Sequence, residues 1–472
     1  MSELPKGWAI ATLGEVCTNP QYGWTSKASQ SGELKYLRTS DISSGQIDWE
    51  TVPFCVEIPD DTPKYKIQKD DILVSRAGSV GISYRVSNVP YDVIFASYLI
   101  RFKPLDGIEA GYIESYLKSD GYWKSIFDFT AGIAIPNVNA TKLAALEIPL
   151  PPLNEQRRIV AKLERLLHKV DACKERLEKI PAILKRFRQS VLAAACSGRL
   201  TADWREHNPD SVPSSSLIQK ERIKIAEPDG GLSELPDKWT WVALGNYGNC
   251  SRGRFSVRPR NDPRYFGGKH PFIQIGNLPS EGGWIRSHTQ TLNEKGLAVS
   301  KQFPKGTTVI AIVGATIGNT GLLAYDMCFT DSMVGIETGT EEGNRYVEFF
   351  LRHKKFEIRQ ASYSSGGQPN IKLEFLNPYP LALPPLPEQQ EIVRRVEALF
   401  KKADEIETRY QKAKVFVDRL TQSILAKAFL GELVPQHPND EPASVLLERI
   451  RDANAINLQK KRKKSKLEKE KR

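Results

Sequence analysis

Apolar residues fall at alternating steps of four and three in two stretches of the chain. The first stretch carries Ile159, Leu163, Leu166, Val170, Cys173, Leu177 and Ile180. The second carries Ile392, Val396, Leu399, Ala403, Ile406, Tyr410 and Ala413. Charged residues flank both, among them Arg157, Arg158, Lys162, Glu164 and Arg165 in the first. This spacing is the a/d seam of a coiled coil and predicts one long helix in each stretch. The two stretches keep a constant offset of 233 residues, from Pro136-Asn137 against Pro369-Asn370 to Gly198 against Gly431. One inserted residue would turn every later side chain by about 100°, so a partner must hold both helices in one register. The expectation is that the seams pair with each other; the plainer alternative packs each helix on its own core.

The globular segments before the helices also repeat. Leu4 to Gly14 reads L-P-K-G-W-A-I-A-T-L-G, and Leu235 to Gly245 reads L-P-D-K-W-T-W-V-A-L-G. A unit of about 230 residues therefore occurs twice. Between these points only framework pieces align: Tyr36-Leu37-Arg38 with Phe272-Ile273-Gln274, Ile72-Leu73-Val74 with Val309-Ile310-Ala311, and Tyr112-Ile113-Glu114 with Tyr346-Val347-Glu348. Short β-branched runs bounded by Gly, Pro, Asp and Asn predict strands, and 108–128 and 344–360 predict helices. The expected fold class is α+β. Two α/β domains, each with an irregular and mostly antiparallel sheet, alternate with two long helical regions that pair as an antiparallel coiled coil, giving a pseudo-two-fold internal repeat.

The predicted divisions are 1–150 and 235–383 for the α/β domains and 151–200 and 384–434 for the helical regions. A linker rich in Pro, Ser, Asp and Glu fills 201–234, and a C-terminal segment fills 435–472. Pro181 predicts a break after which a shorter helix runs to about Ala195. Gly198 and Gly431 predict helix ends. A short helix near Ala443–Arg451 is expected, then a basic, disordered tail.

Composition narrows the class. The six cysteines are scattered, with no C-x-x-C pair, which predicts buried, reduced thiols in a cytoplasmic protein and no zinc site. No run of about 18 apolar residues predicts a membrane span. The net charge is +11 and the pI about 9.1, which points to an acidic partner such as nucleic acid. From Lys460 to Arg472, however, nine basic residues stand against two acidic ones, so the rest of the chain carries only about +4. The tail reads as a solvated charge run and at most a non-specific phosphate tether.

No catalytic motif survives scrutiny. Asn377-Pro378-Tyr379-Pro380 has the letters of an adenine-methylating loop in the wrong order. Ala77-Gly78-Ser79-Val80-Gly81 resembles a nucleophile elbow without a partnered His and Asp. No G-x-x-x-x-G-K-S/T phosphate loop occurs, and Pro59-Asp60-Asp61 lacks the E-x-K of a nuclease. Two dissimilar domains on paired helices instead suggest a ruler. About 26 residues of helix span roughly 39 Å, close to the roughly 34–36 Å between half-sites one turn apart on duplex DNA.

L-P-x-x-W at Leu4 and Leu235, P-P-L-x-E-Q at Pro151 and Pro384, and R-x-x-Q-S-[VI]-L-A at Arg186 and Arg419 resemble the specificity (S) subunit of type I restriction–modification systems. The resemblance covers nearly the whole chain. It implies two target-recognition domains that each read one half of a bipartite, gapped DNA target. The helices would set the gap and dock two methyltransferase (M) subunits. It implies no catalysis and no cofactor in this chain, with S-adenosylmethionine, ATP and Mg on the M and restriction (R) subunits. The basic tail departs from the family pattern. The competing expectation is a coiled-coil scaffold without DNA specificity.

Base edges take Arg, Lys, Asn and Gln, and phosphates take Arg, Lys, Ser and backbone amides. The DNA-contacting candidates in the first domain are Lys27, Arg38, Arg76, Ser79, Asn137 and Asn139. In the second they are Arg252, Arg254, Arg258, Arg260, Gln274, Asn319, Gln368 and Asn370. The loop Arg252–Arg260 is the densest basic loop outside the tail, though a plain solvated loop explains it equally well. Asn137 and Asn370 follow proline and are alternatively turn caps; Trp24 is read as core packing.

Overall fold

The structure, a computed structural model, describes residues 4–131, 136–218, 223–227, 231–363 and 370–470, with side chains through residue 456. Two helices of 44 residues dominate it, Leu153–Cys196 and Leu386–Phe429. Each is about 66 Å long at 1.5 Å per residue, well beyond the 26 residues the seam alone marks out. The first helix does not break at Pro181, which lies inside it. A proline in a helix interior costs about 3 kcal/mol, while each fully buried aliphatic side chain contributes about 1.5–3 kcal/mol. Val170 on one side of the proline, and Leu184, Val191, Leu192 and Ala195 on the other, are buried, so packing outweighs the lost hydrogen bond.

The chain forms two compact units, residues 1–178 with 412–472, and residues 179–411. Each unit takes half of each long helix, so the units do not follow the linear divisions expected from the sequence. In the first unit Ile159, Leu163 and Val170 share a core with Ile424, Leu425 and Ala428. In the second, Val191, Leu192 and Ala195 share a core with Ile392, Val393 and Val396. The start of one helix thus meets the end of the other in both units, and the pairing is antiparallel. Lys174 Nζ reaches Thr421 Oγ1 at 3.5 Å in the first unit, and Arg188 spans Asp404 and Glu407 at 2.8 and 2.7 Å in the second.

The predicted seam needs correction at its outer steps. Ile159, Leu163, Val170, Ile392, Val396 and Tyr410 are buried, and Leu166, Leu177 and Leu399 are half-buried. Ile406 is 48% exposed, and Cys173 is exposed rather than a buried seam thiol. A straight helix turns every 3.6 residues and drifts about 20° per heptad from a 3.5 repeat. Ala403 and Tyr410, seven apart, stay inside while Ile406 between them turns out.

The α/β parts share one topology. In the first unit one sheet orders Gln21–Tyr22, Leu99–Phe102, Ile72–Ser75 and Ser83–Arg85, and a second orders Ala28–Ser29, Phe54–Cys55, Lys35–Leu37 and Val93–Phe95. The second unit repeats the first arrangement and three strands of the second. Asn249–Arg252, Met333–Glu337, Thr308–Ala311 and Thr320–Leu323 form the first, with Trp284–Ile285 added at the edge. Gln290–Leu292, Phe266–Ile273 and Met327–Phe329 form the second, with Gln302–Phe303 at its edge. Most pairings are antiparallel, but Lys35–Leu37 runs parallel to Val93–Phe95, Phe266–Ile273 to Met327–Phe329, and Trp284–Ile285 to Thr320–Leu323. The helices expected at 108–128 and 344–360 are each two, Ala110–Tyr116 with Asp120–Thr130, and Glu341–His353 with Lys355–Tyr363.

The repeated sequence motifs form the hinge between sheet and helix. Ala9–Thr12 pairs with Glu147–Leu150, and Thr240–Ala243 with Pro380–Leu383. Gln156 Nε2 donates to Pro151 O at 2.9 Å, and Gln389 Nε2 to Pro384 O at 2.9 Å. Both glutamines are fully buried. Trp239 Nε1 donates to buried Glu388 at 2.8 Å. In the second unit the indole of L-P-x-x-W thus satisfies the buried carboxylate of P-P-L-x-E-Q.

The expected linker is folded onto its own unit. Thr201 Oγ1 and Arg205 Nη1 donate to Glu388 at 2.7 and 2.5 Å, and Leu200, Leu217 and Ile218 cover the second core. Residues 219–222 and 228–230 of it lie outside the described residues. In the first unit the chain's end does the same job: Ala443 N donates to Gly7 O at 2.9 Å, and Leu446, Leu447 and Ile450 join Trp8 and Val16 in the core. The helix there runs Ala443–Glu470, longer than the expected Ala443–Arg451, because its Lys, Glu, Gln, Leu and Arg are all good helix formers.

Arg394 and Arg395 clamp Glu391 at 2.5–2.7 Å and hold its carboxyl near pKa 2, against the ordinary 4.5. A depressed carboxylate stabilises the fold above its unfolded pKa and loses that effect as pH falls toward the folded one. The stability gap between wild type and Glu391→Gln is therefore expected to be constant above about pH 4.5 and to vanish near pH 2. Urea titrations across that range measure it, and a gap independent of pH would contradict the clamp.

Candidate nucleic-acid interface

Each unit gathers its polar loops at two places. In the first unit the turn Arg76–Ser79 lies against Asn137, through a bridge between Ala77 and Asn137 and the bond Val138 N to Arg76 O at 3.0 Å. The Arg76 guanidinium sits over the Tyr22 ring, 4.9 Å from its centre, and Tyr22 Oη accepts from Ala140 N at 2.9 Å. Ser79 and Asn137 are exposed. Asn139 caps the helix Ala140–Ala144 through Lys142 N at 2.8 Å, so its amide oxygen is already engaged. The second unit builds the same patch: Val313 bridges Asn370, and Ile371 N donates to Ile312 O at 2.8 Å. Asn319 is half-buried in the turn below it. Gln368 lies outside the described residues.

The second place is the end of the parallel strand pair. Arg38 follows Lys35–Leu37, and Asp41 receives its backbone N at 2.8 Å, its Nε at 3.1 Å and its Nη2 at 2.8 Å. Gln274 follows Phe266–Ile273, and Asn277 receives its backbone N at 2.9 Å. Gln274 Nε2 donates to Gln290 Oε1 at 2.9 Å. These two amides open into a cleft of about 310 Å³ with Arg260, Asn261, Thr330 and Ser332 on its wall. The neighbouring loop passes so close in both units that only glycine fits. A Cβ on Gly23 would lie 2.3 Å from the carbonyls of Phe95 and Ala96, and one on Gly253 would lie 2.4 Å from Thr330 O.

The basic loop of the second unit is tied mostly to residues outside it, Ser300 and Asp331. Arg252 Nε donates to Asp331 O at 2.5 Å, Arg254 Nη2 to Ser300 O at 2.8 Å, and Arg258 Nη1 to Val257 O at 2.8 Å. Arg260 pairs with Asp331 at 2.7 Å. Arg254 and Arg258 therefore brace the loop, while Arg260 faces the cleft. Lys27 is exposed beside the strand edge, where its carbonyl accepts from Val56 N. Trp24 donates to Glu57 O at 2.6 Å and packs on Tyr65, consistent with a packing role. Sequence reasoning missed Asp41, Gln290 and Asn261. The spacing of Asp41 and Asn277, three residues after the aligned Arg38 and Gln274, was the available signal. It also missed a basic cleft of about 740 Å³ in the second unit, lined by Lys185, Arg188, Arg352, Lys355 and Arg359. Among the described residues no group of His, Cys, Asp and Glu is arranged to hold a metal, and no helix is long and apolar enough to cross a membrane.

The profile of the type I restriction modification DNA specificity domain matches residues 5–182 and 236–415, one match per repeat. The chain belongs to this family. It is 30% identical to the type I restriction enzyme EcoKI specificity subunit of Escherichia coli (strain K12), over 98% of this chain and 99% of that protein. Identity to the StySPI specificity subunit of Salmonella potsdam is also 30%, over 96% and 97% of the two chains. The fold is shared with the HsdS subunit from Thermoanaerobacter tengcongensis, with a TM-score of 0.59 and 21% identity over 91% of this chain and 98% of that one. A second solved chain, from work on complex assembly and conformational transition of the type I R-M system, gives a TM-score of 0.64 at 20% identity, covering 92% of this chain and all of that one.

Proposed function

We propose that this chain is the DNA-recognition subunit of a type I restriction–modification complex. Each α/β part reads one half of a bipartite target, and the paired helices set the unread gap and dock modification subunits. The observation that carries this reading is the duplicated reader: one topology, two different sets of side chains at the same two places. The chain contributes specificity and no bond-making step. S-adenosylmethionine, ATP and Mg belong to the modification and restriction subunits, and two modification subunits fit the two helix repeats.

The test is methylome sequencing of cells that express the partner modification subunit with and without this chain. The expected result is a new adenine-methylated motif that is gapped and asymmetric. It should persist when the chain is cut at about Asn457, because the basic tail supplies only salt-sensitive, sequence-independent attraction. An unchanged methylome beside an active modification subunit would leave a scaffold role instead.

A further inference from the structure

We infer that Arg38 and Gln274 are equivalent base-reading residues, Arg38 selecting a guanine in one half of the target and Gln274 an adenine in the other. This rests on the DNA-reading function proposed above and adds the residues and bases.

The equivalence is geometric. Leu37 pairs with Phe95 in the parallel strands of the first unit, and Ile273 pairs with Phe329 in those of the second. Arg38 and Gln274 are each the next residue. Their backbones agree, with φ −111° and ψ 170° for Arg38 and φ −119° and ψ 172° for Gln274. In both, the backbone N–H is held by the side chain three residues on. The fold thus presents one position twice and fills it with different chemistry.

Each side chain is held ready by a neighbour of matching character. Asp41 takes the Nε and Nη2 side of the Arg38 guanidinium. The Nη1–Nη2 end keeps two parallel N–H donors, the geometry that fits guanine O6 and N7. The Arg38 side chain is 40% exposed, so that end can reach a ligand. Gln274 is exposed. Its amide gives one N–H to Gln290 and keeps a carbonyl oxygen and a second N–H, the acceptor–donor pair that fits adenine N6 and N7. A charged reader stands on a charged Asp41 and a neutral one on neutral Asn277 and Gln290. If both residues were only caps, their exposed functional groups would need no such bracing. Asp41 and Gln290 are positioning residues here.

The experiment uses the complex with its modification subunit. The paired exchanges Arg38→Gln with Asp41→Asn, and Gln274→Arg with Asn277→Asp, keep the acceptor that holds each backbone N–H. The first should change one guanine to adenine in one half of the methylated motif. The second should change one adenine to guanine in the other half, all remaining positions unchanged. Duplex binding guards against inactive exchanges. Wild-type complex should lose about 5- to 150-fold in affinity when the assigned base pair is replaced, and Arg38→Ala or Gln274→Ala complex should lose that discrimination alone. A motif unchanged by the exchanges, or an alanine complex that still discriminates at every position, overturns the assignment, as does equal weakening on all duplexes. Wild-type complex without any sequence preference would instead overturn the DNA-reading function itself.

Discussion

Ile392→Asp should unfold the unit formed by residues 179–411, at a cost above about 4 kcal/mol. Ile392 is fully buried in the second core, among Val191 and Leu192 of the other long helix and Trp239 and Val242 of the sheet entry. Removing its aliphatic atoms alone costs about 2–5 kcal/mol, and a carboxylate there finds no described partner to offset its desolvation. Ile392→Val should cost only about 1 kcal/mol. Hydrogen exchange checks this by location. Protection should collapse across 179–411 in the aspartate variant, and wild-type protection there would show that the helix pairing is not what holds this core. Leu399, the more obvious choice from the apolar spacing, is half-buried and should give a smaller effect.

Glu388→Ala should cost about 3 kcal/mol. Glu388 is almost fully buried and receives Thr201, Arg205 and Trp239 at 2.5–2.8 Å. Its removal strands an arginine, a hydroxyl and an indole N–H at once, and breaking a buried charged pair is costly because the remaining partner stays desolvated. Glu388→Gln keeps the shape and part of the bonding and should fall between. Adding Trp239→Phe to Glu388→Ala should cost less than the two separately, since the second change removes a group already left without its acceptor. Denaturant midpoints of the four proteins give the answer, and strict additivity would mean that the indole and carboxylate do not act on one another.

The same residues show how much was legible in advance. The P-P-L-x-E-Q repeat and the a/d spacing were visible as letters, and both gave the correct elements, because periodicity is a local property of the chain. That Glu388 would be met by Arg205 was not legible. Residue 205 lies in a stretch whose Pro and Ser content reads as an open linker, and only the folded unit brings it 183 residues along the chain to its partner. Arg254 and Arg258, exposed candidates for DNA contact, each spend one guanidinium nitrogen on backbone carbonyls of the second unit, bonds that no count of charges can foresee.

The amino-acid order alone determined that there are two copies of one unit, that each contains a long helix, and that the readers differ, since these follow from repetition, apolar period and unlike loops. Tertiary structure decided that Pro181 leaves its helix whole, that Ile406 faces out, and that Arg38 and Gln274 hold one position. Each of these depends on which surfaces meet. A lost hydrogen bond can be outweighed by packing on either side, and an apolar face belongs inside only where a partner covers it.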